Sequence, residues 1–313
     1  MTAIVLAGLS AFLFGAMTVL VRIALATGVP PEVGTLFTIV PACTVTGIVA
    51  VAHGDWDLTN AWPFVLAGLL APGIAQILFT FAVRDAGASR TSVTVGMAPL
   101  IAVATALVFL DEPLVAGLVA GAALIVTGGI LLASDRATPE HFKRVGLLYA
   151  LVGTAAFATR DTVVRWLASD VSDVDPRLAA FAAMLTGTAV ALAFALLLRA
   201  PLSRRAACAF LPAGLCYGLS YVFLFEAFFR GRVSVVSPIV ATESLWGVTL
   251  SWLVLRKSEQ VGSRLVAGAA LVTSSFITFE QRRRGGELER QQELRDALAR
   301  IETRLAALDR PAP

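Results

Sequence analysis

The sequence predicts an all-α polytopic membrane protein of about ten transmembrane helices, arranged as two inverted five-helix repeats and followed by a short C-terminal amphipathic helix. Three observations carry this prediction. Only 15% of the 313 residues are charged and 57% are hydrophobic, against about 25% charged in an ordinary soluble domain. The apolar stretches run for about 20 residues, the length that crosses a bilayer as a helix. The first half of the chain also matches the second at an offset of about 145 residues.

Breaks at glycine, proline and charge clusters place the spans near 3–25, 32–52, 61–83, 91–110, 114–133, 145–168, 177–198, 207–229, 233–255 and 262–280. The first is expected to be retained, because no positive segment precedes it as in a signal peptide and Arg22 interrupts its end. Val29-Pro30-Pro31 opens the second, and the polar stretch from His53 to Asn60 closes it. Arg84 to Arg90 separates the third from the fourth, and Asp111-Glu112-Pro113 the fourth from the fifth. Ser134 to Arg144 reads as the linker between halves, and Arg256-Lys257-Ser258-Glu259 as the turn before the last span. The runs are continuous rather than alternating, so helices that satisfy their own backbone are expected and a barrel is not. The domains are therefore 1–135, 145–280 and a tail at 285–313.

The duplication is visible residue by residue: Gly8 matches Gly153, Phe12 matches Phe157, Pro31 matches Pro176, Gly68 matches Gly214, and Phe79 matches Phe225. Five spans is an odd number, so two successive copies must enter the membrane in opposite orientations, the arrangement of alternating-access carriers.

Composition excludes several classes. The chain is too apolar for a disordered segment or a basic module reading nucleic acid, and a net charge of +3 selects no partner. Three scattered cysteines, Cys43, Cys208 and Cys216, suit neither a disulfide framework nor a metal site and are expected to be buried apolar side chains. Two histidines, His53 and His141, both in loops, with no HExxH and no phosphate-cradling Gly-Lys loop, argue against an enzyme, and no cofactor or metal is expected.

The segment GASRTSVTVGMAPLIAVATALVFLDEPL with its continuation GLVAGAALIVTGGILL, and GRVSVVSPIVATESLWGVTLSWLVLRKSEQVG in the second half, resemble the ends of EamA-type units of the drug/metabolite transporter superfamily. The resemblance covers residues 1 to about 280 as two five-helix units. It implies a ten-helix carrier of small metabolites in the cell membrane, often coupled to protons or exchanging solutes, with both termini in the cytoplasm. The sequence departs from symmetry at Glu243, which stands where the first repeat has Gly96. Lys and Arg are more numerous beside the loops after the odd-numbered spans, which by the positive-inside rule places the termini outside. The two indications of orientation disagree.

Ionisable groups inside a span are costly and mark functional candidates. Asp161 with Arg165, and Glu226 with Arg230, have the i, i+4 spacing of local ion pairs. Arg160 has no acid one turn away and points about 100° from Asp161 along the helix wheel, so it is expected to take a partner from another span or a ligand. Glu243 is alone in ValAlaThrGluSerLeuTrp, and a lone carboxylate in hydrocarbon is the natural proton-coupling candidate. Arg160 or Asp161 and Glu243 are expected to line one central cavity, Glu243 binding a proton or a substrate amine and Arg160 a substrate carboxylate. A structural Arg160–Glu243 pair is the alternative. Gln76, Tyr217, Tyr221 and Trp246 are candidates for the cavity's hydrogen bonds and aromatic walls. Trp56, Trp62 and Trp252 suit the interfacial belt, and Pro72-Gly73 a kink near the site.

In the tail, Leu294, Leu298, Ile301, Leu305 and Leu308 form a short heptad seam, which suits a homodimer contact or a helix lying on the lipid surface. The expected function is a carrier of small metabolites, amino acids among them. A lipid flippase of the same superfamily, and a receptor or assembly protein signalling through the tail, are the alternatives.

Overall fold

The structure is a computed structural model that describes residues 2–53, 60–98, 142–168, 174–231 and 239–255, with Ile101, Thr127 and Val236. The predicted fifth and tenth spans, most of the fourth and the C-terminal tail lie outside the described residues.

Nine α-helices are described: α1 (Thr2–Leu25), α2 (Pro31–His53), α3 (Trp62–Gly68), α4 (Ala75–Ala86), α5 (Ala88–Val95), α6 (Arg144–Trp166), α7 (Pro176–Leu197), α8 (Arg204–Arg230) and α9 (Glu243–Val254). A π-helical stretch, Leu69–Ile74, joins α3 to α4. The spans Thr2–Leu25, Pro31–His53, Trp62–Ala86, Arg144–Trp166, Pro176–Leu197 and Arg204–Arg230 are each long and apolar enough to cross a bilayer. Their starts follow local chemistry. Asp175 accepts from the Arg177 amide with Pro176 at the first helical position, and Ser203 accepts from the Ala206 amide. Within the spans Thr18, Thr35, Thr38, Thr80 and Thr154 hydrogen-bond back to carbonyls one turn earlier, which hides their hydroxyls from the apolar surroundings.

Two boundaries differ from expectation. The predicted separator from Arg84 to Arg90 is helical except at Gly87, whose φ of 90° supplies the sharp turn between α4 and α5. The third span breaks at Ala71, which is extended (φ −147°, ψ 123°) just before Pro72-Gly73, the predicted kink. Pro72 cannot continue the hydrogen-bond ladder, and its ring packs against Gly187 of α7, where a Cβ would collide with it.

The contacts reproduce the repeat. Gly68 meets the Ala183 carbonyl of α7, and its equivalent Gly214 meets the Thr38 carbonyl of α2. Thr38 and Ala183 are themselves equivalent in the two repeats. One turn on, Gly187 packs against Pro72 while Gly218 packs against Ala42, again an exchanged pair. The third span of each repeat therefore lies on the second helix of the other, as a two-fold axis requires.

Equivalent helices run in opposite directions. The N-terminal end of α1 lies at Gly231, just past α8, where a Cβ would stand 2.9 Å from Ala3. Near its other end Arg22 donates to the carbonyls of Val83 and Arg84 at the end of α4. Helix α6 starts at that α4 end, where the Lys143 amide donates to the Asp85 carbonyl at 2.7 Å. It finishes at α8, where Arg165 donates to the Phe228 carbonyl at 3.0 Å. Thus α1 runs from the end of α8 to the end of α4, and α6 runs back. In each repeat an arginine near the end of the first helix serves carbonyls at the C-terminus of the third span, where the helix dipole favours a cation.

Two mixed bundles result. Helix α8 packs most extensively on α1 and α2, and α9 on α1; α6 packs on α4 and α5, and α7 on α3 and the π-helical stretch, and the two groups are joined where α7 lies along α2 and α9 along α5. Each bundle contains helices from both repeats. Between them runs an aromatic core in which Phe14 meets Phe79, Phe157 and Tyr217 at centroid distances of 5.7–5.8 Å.

A Cβ at Gly68 or Gly214 would stand 2.5–2.6 Å from a facing carbonyl oxygen, a clash that only backbone movement relieves. Gly68→Ala and Gly214→Ala should each lower stability by about 1–3 kcal/mol. Thermal unfolding in detergent checks this against Leu197→Ala, at a site 82% exposed, which should leave the midpoint unchanged.

Candidate functional site

A cavity opens between the mixed bundles. Ser10 and Phe14 of α1, Leu224 of α8, and Val240, Ala241 and Glu243 at the start of α9 line it from one bundle. Val95 and Ala98, at and just beyond the end of α5, and Phe157, Ala158, Arg160, Asp161 and Thr162 of α6 line it from the other. Phe157, Arg160 and Asp161 share a helix face by their i, i+3, i+4 spacing.

Arg160 is only 2% exposed. Its Nε lies 2.8 Å from Asp161 Oδ1, and its guanidinium carbon 4.7 Å from the centre of the Tyr221 ring, with Phe157 at 5.8 Å and Phe225 at 5.9 Å. The expectation that Arg160 needs a partner from another span is corrected: its ion-pair partner is its own neighbour. The long side chain folds back along the helix to reach Asp161, and the rings of α8 hold the guanidinium by cation–π attraction. The expected Asp161–Arg165 pair is likewise replaced, since Arg165 reaches the Phe228 carbonyl.

The aromatic wall comes from one face of α8. Tyr217, Tyr221 and Phe225 recur at every fourth position, with Tyr217 and Tyr221 edge to face at 5.0 Å and Tyr221 and Phe225 stacked at 5.6 Å. The hydroxyls of Tyr217 and Tyr221, both polar atoms of the Gln76 amide, and Nη1 of Arg160 are buried without a hydrogen-bond partner, and Arg160 Nε and Asp161 Oδ1 form an ion pair without the geometry of a hydrogen bond. Such orphans are uncommon, and each needs a reason.

Glu243 is 6% exposed and opens α9, the position where a helix dipole favours a carboxylate. It lies within electrostatic range of both Asp161 and Arg160, yet makes no ion pair among the described residues. The structure thus brings Arg160, Asp161 and Glu243 to one cavity, with Tyr221 against the guanidinium and Tyr217 behind it. Gln76 is buried in α4 one turn before Phe79 and does not line the cavity. Trp246 is not brought in: it is 41% exposed and meets Phe12 edge-on at 5.2 Å on the outer face of α1. Of the cysteines, Cys43 is buried, Cys216 is half-buried and Cys208 is exposed, which corrects the expectation that all three are buried. Trp62 and Trp252 are exposed, as an interfacial belt requires, and Trp56 lies outside the described residues.

Sequence reasoning missed Ser10 and Phe14. Ser10 donates to the Ser220 carbonyl while Ser220 donates to the Ser10 carbonyl, both at 3.0 Å, a reciprocal clasp of α1 on α8. The signal was slight: one serine in an apolar span, with Ala155 at the equivalent place in α6. Arg177 was also missed as a partner of Glu226. Its Nη2 lies 2.7 Å from Glu226 Oε1, and Arg230 Nη2 lies 2.6 Å from Oε2, so one buried carboxylate joins the start of α7 to the end of α8.

The model of the EamA-like transporter family matches residues 1–134 and again residues 144–279. No curated protein matches the chain. Among solved structures 28 chains match. One of them, a crystal structure, aligns with a TM-score of 0.57 at 19% identity, covering 86% of this chain and 96% of its own. At that identity the likeness is one of fold.

Because Glu226 holds two partly exposed arginines from a side chain 5% exposed, Glu226→Gln should destabilise the protein by about 1–3 kcal/mol. A double-mutant cycle with Arg177→Gln, read by thermal unfolding, should return a coupling above about 0.5 kcal/mol. Additive effects would show that the pair contributes nothing.

Proposed function

The chain belongs to the EamA-like transporter family, and from that premise we propose that it is a secondary carrier of small metabolites in the cell membrane, working by alternating access of two inverted repeats. The observation that carries the reading is the cavity at the boundary of the mixed bundles, where Arg160, Asp161 and Glu243 meet on the walls. In this reading Ser10, Phe14, Leu224 and Glu243 move with one bundle, and Phe157, Arg160 and Asp161 with the other. A solute touching both sides ties binding to closure, because its affinity differs between the states. Nothing covalent is asked of the site. Tyr217, Tyr221 and Gln76 hold polar atoms ready for the solute or for the opposite-facing state, and Glu243 is the candidate for coupling to protons.

Support for inversion comes from the antiparallel course of α1 and α6 and the exchanged glycine contacts. The two gating interfaces, α1 on α8 and α6 on α4, are equivalent but unequal. Ser10 and Ser220 clasp the first, while Ala155 and Ile74 stand at the equivalent places in the second. A groove between α2 and α7, lined by Val40, Ile48, Val51 and Phe181, faces outward. It would admit an acyl chain, but its described lining holds no charged group for a headgroup, so the metabolite reading is preferred to the flippase. Pairing of two copies through the tail is part of the proposal, and deletion of residues 287–313 with measurement of particle mass tests it.

Reconstituted into sealed vesicles, the wild-type protein should accumulate or exchange a labelled solute, and Glu243→Ala or Arg160→Ala should lower the rate at least about tenfold while the protein remains folded by size-exclusion chromatography. A protein that binds solute and never carries it across would leave the receptor reading in its place.

A further inference from the structure

The charges that meet in the cavity do not balance, and their imbalance selects a ligand class. Arg160 and Asp161 cancel one another across 2.8 Å. No other described lining residue is ionisable except Glu243, which is buried, faces the cavity and makes no ion pair among the described residues. With the Glu243 carboxylate ionised, one negative charge is left over. In surroundings of low polarity, a site with one uncompensated charge favours a ligand carrying the opposite one.

A second observation narrows the class. Nη1 of Arg160 is buried and has no hydrogen-bond partner. It needs an acceptor, but the charge of its guanidinium is already matched by Asp161 and shared with the Tyr221 ring. A neutral oxygen satisfies that atom; a carboxylate would restore the excess negative charge. The remaining walls, Phe14, Phe157, Val95 and Leu224, are apolar.

The geometry points to a monocationic amine with a neutral acceptor oxygen and an apolar or aromatic body as the ligand of this cavity, with the amine on Glu243 and the oxygen on Arg160 Nη1. The inference rests on the reading of the cavity as the carrier's solute site. It departs from the sequence-based expectation of an amino acid whose carboxylate would sit on Arg160.

The test uses four probes that share one benzyl group: phenylalanine amide, phenethylamine, phenylalanine and 3-phenylpropionate. Ligand-dependent thermal stabilisation of the purified full-length protein in detergent, titrated in each probe, gives their apparent affinities. The expected order is the amide first, phenethylamine about tenfold weaker for want of the oxygen, then phenylalanine, with no stabilisation by phenylpropionate. Glu243→Gln should abolish the preference for the amide over phenylalanine, and Arg160→Lys should abolish the preference for the amide over phenethylamine. Equal or stronger stabilisation by phenylalanine in the wild type overturns the proposal, and so does the absence of stabilisation by any probe. The wild-type order decides by itself if a variant fails to fold. Uptake of labelled phenylalanine amide into vesicles separates the two readings. Binding in the expected order without uptake removes the carrier and leaves the ligand class, whereas uptake of phenylalanine in preference to its amide removes the class and leaves the carrier.

Discussion

A guanidinium inside a membrane span is the constraint around which the centre of this fold is arranged. Arg160 cannot lose its charge, and isolated in hydrocarbon that charge costs several kcal/mol at the least. Its position in α6 lies about 9 Å before the helix end at 1.5 Å per residue, too deep to escape into water except by leaving the core. The chain meets the cost with Asp161 on the next residue and the face of Tyr221, with Phe157 and Phe225 beyond. Those contacts dictate what surrounds them. Helix α8 must present aromatic rings at every fourth position, and α1 must come close enough, through Ser10 and Phe14, to seal the far side.

The duplicated architecture makes this arrangement possible by being broken at the site. Where α6 carries Arg160, α1 carries Gly15; where α8 carries Tyr217 and Tyr221, the third span of the first repeat carries Ala71 and Ala75; and Glu243 answers to Gly96. The second repeat supplies the charged and bulky groups, and the first supplies the room. Gly15 shows why: a Cβ there would stand 2.8 Å from the Gly247 amide and from Trp246 Cβ, so α1 reaches α9 only because the first repeat has no side chain at that place. Symmetric packing at Gly68 and Gly214 holds the frame, and asymmetric substitution within the frame makes a single site.

How much of this could be read from the sequence follows from the range of the forces involved. Span lengths, the repeat and the kink at Pro72 were legible because composition and periodicity set them locally. Arg160, Asp161 and Glu243 stood out because charge in an apolar run is costly wherever the run packs. Partners were not legible. A helix wheel sets Arg160 and Asp161 apart, but the wheel describes Cβ directions and not where a side chain of seven heavy atoms ends; only the rings of α8, far away in sequence, decide that. The same limit hid Arg177 from Glu226 and made Trp246 look like a cavity wall when it packs on the outer face of α1 against Phe12. Ser10 was hidden because a single hydroxyl in a span has the same local signature whether it bonds its own helix or a neighbour.

The division of the cavity between two bundles turns a charge count into a statement about motion. Glu243 opens α9, which packs on α1 and α5, while Arg160 and Asp161 pair with each other on α6, so the leftover groups of the site come from different helices. Nη1 of Arg160 has no hydrogen-bond partner, and Glu243 on the facing wall makes no ion pair among the described residues. A ligand that gives an oxygen to one and an amine to the other is bound best when the walls are near, and that difference in affinity is what a solute needs to bias an equilibrium between open and closed forms. A ligand with only one of the two groups would bind one wall and leave the equilibrium almost where it was. In the proposed carrier, recognition and movement would therefore depend on the same two groups.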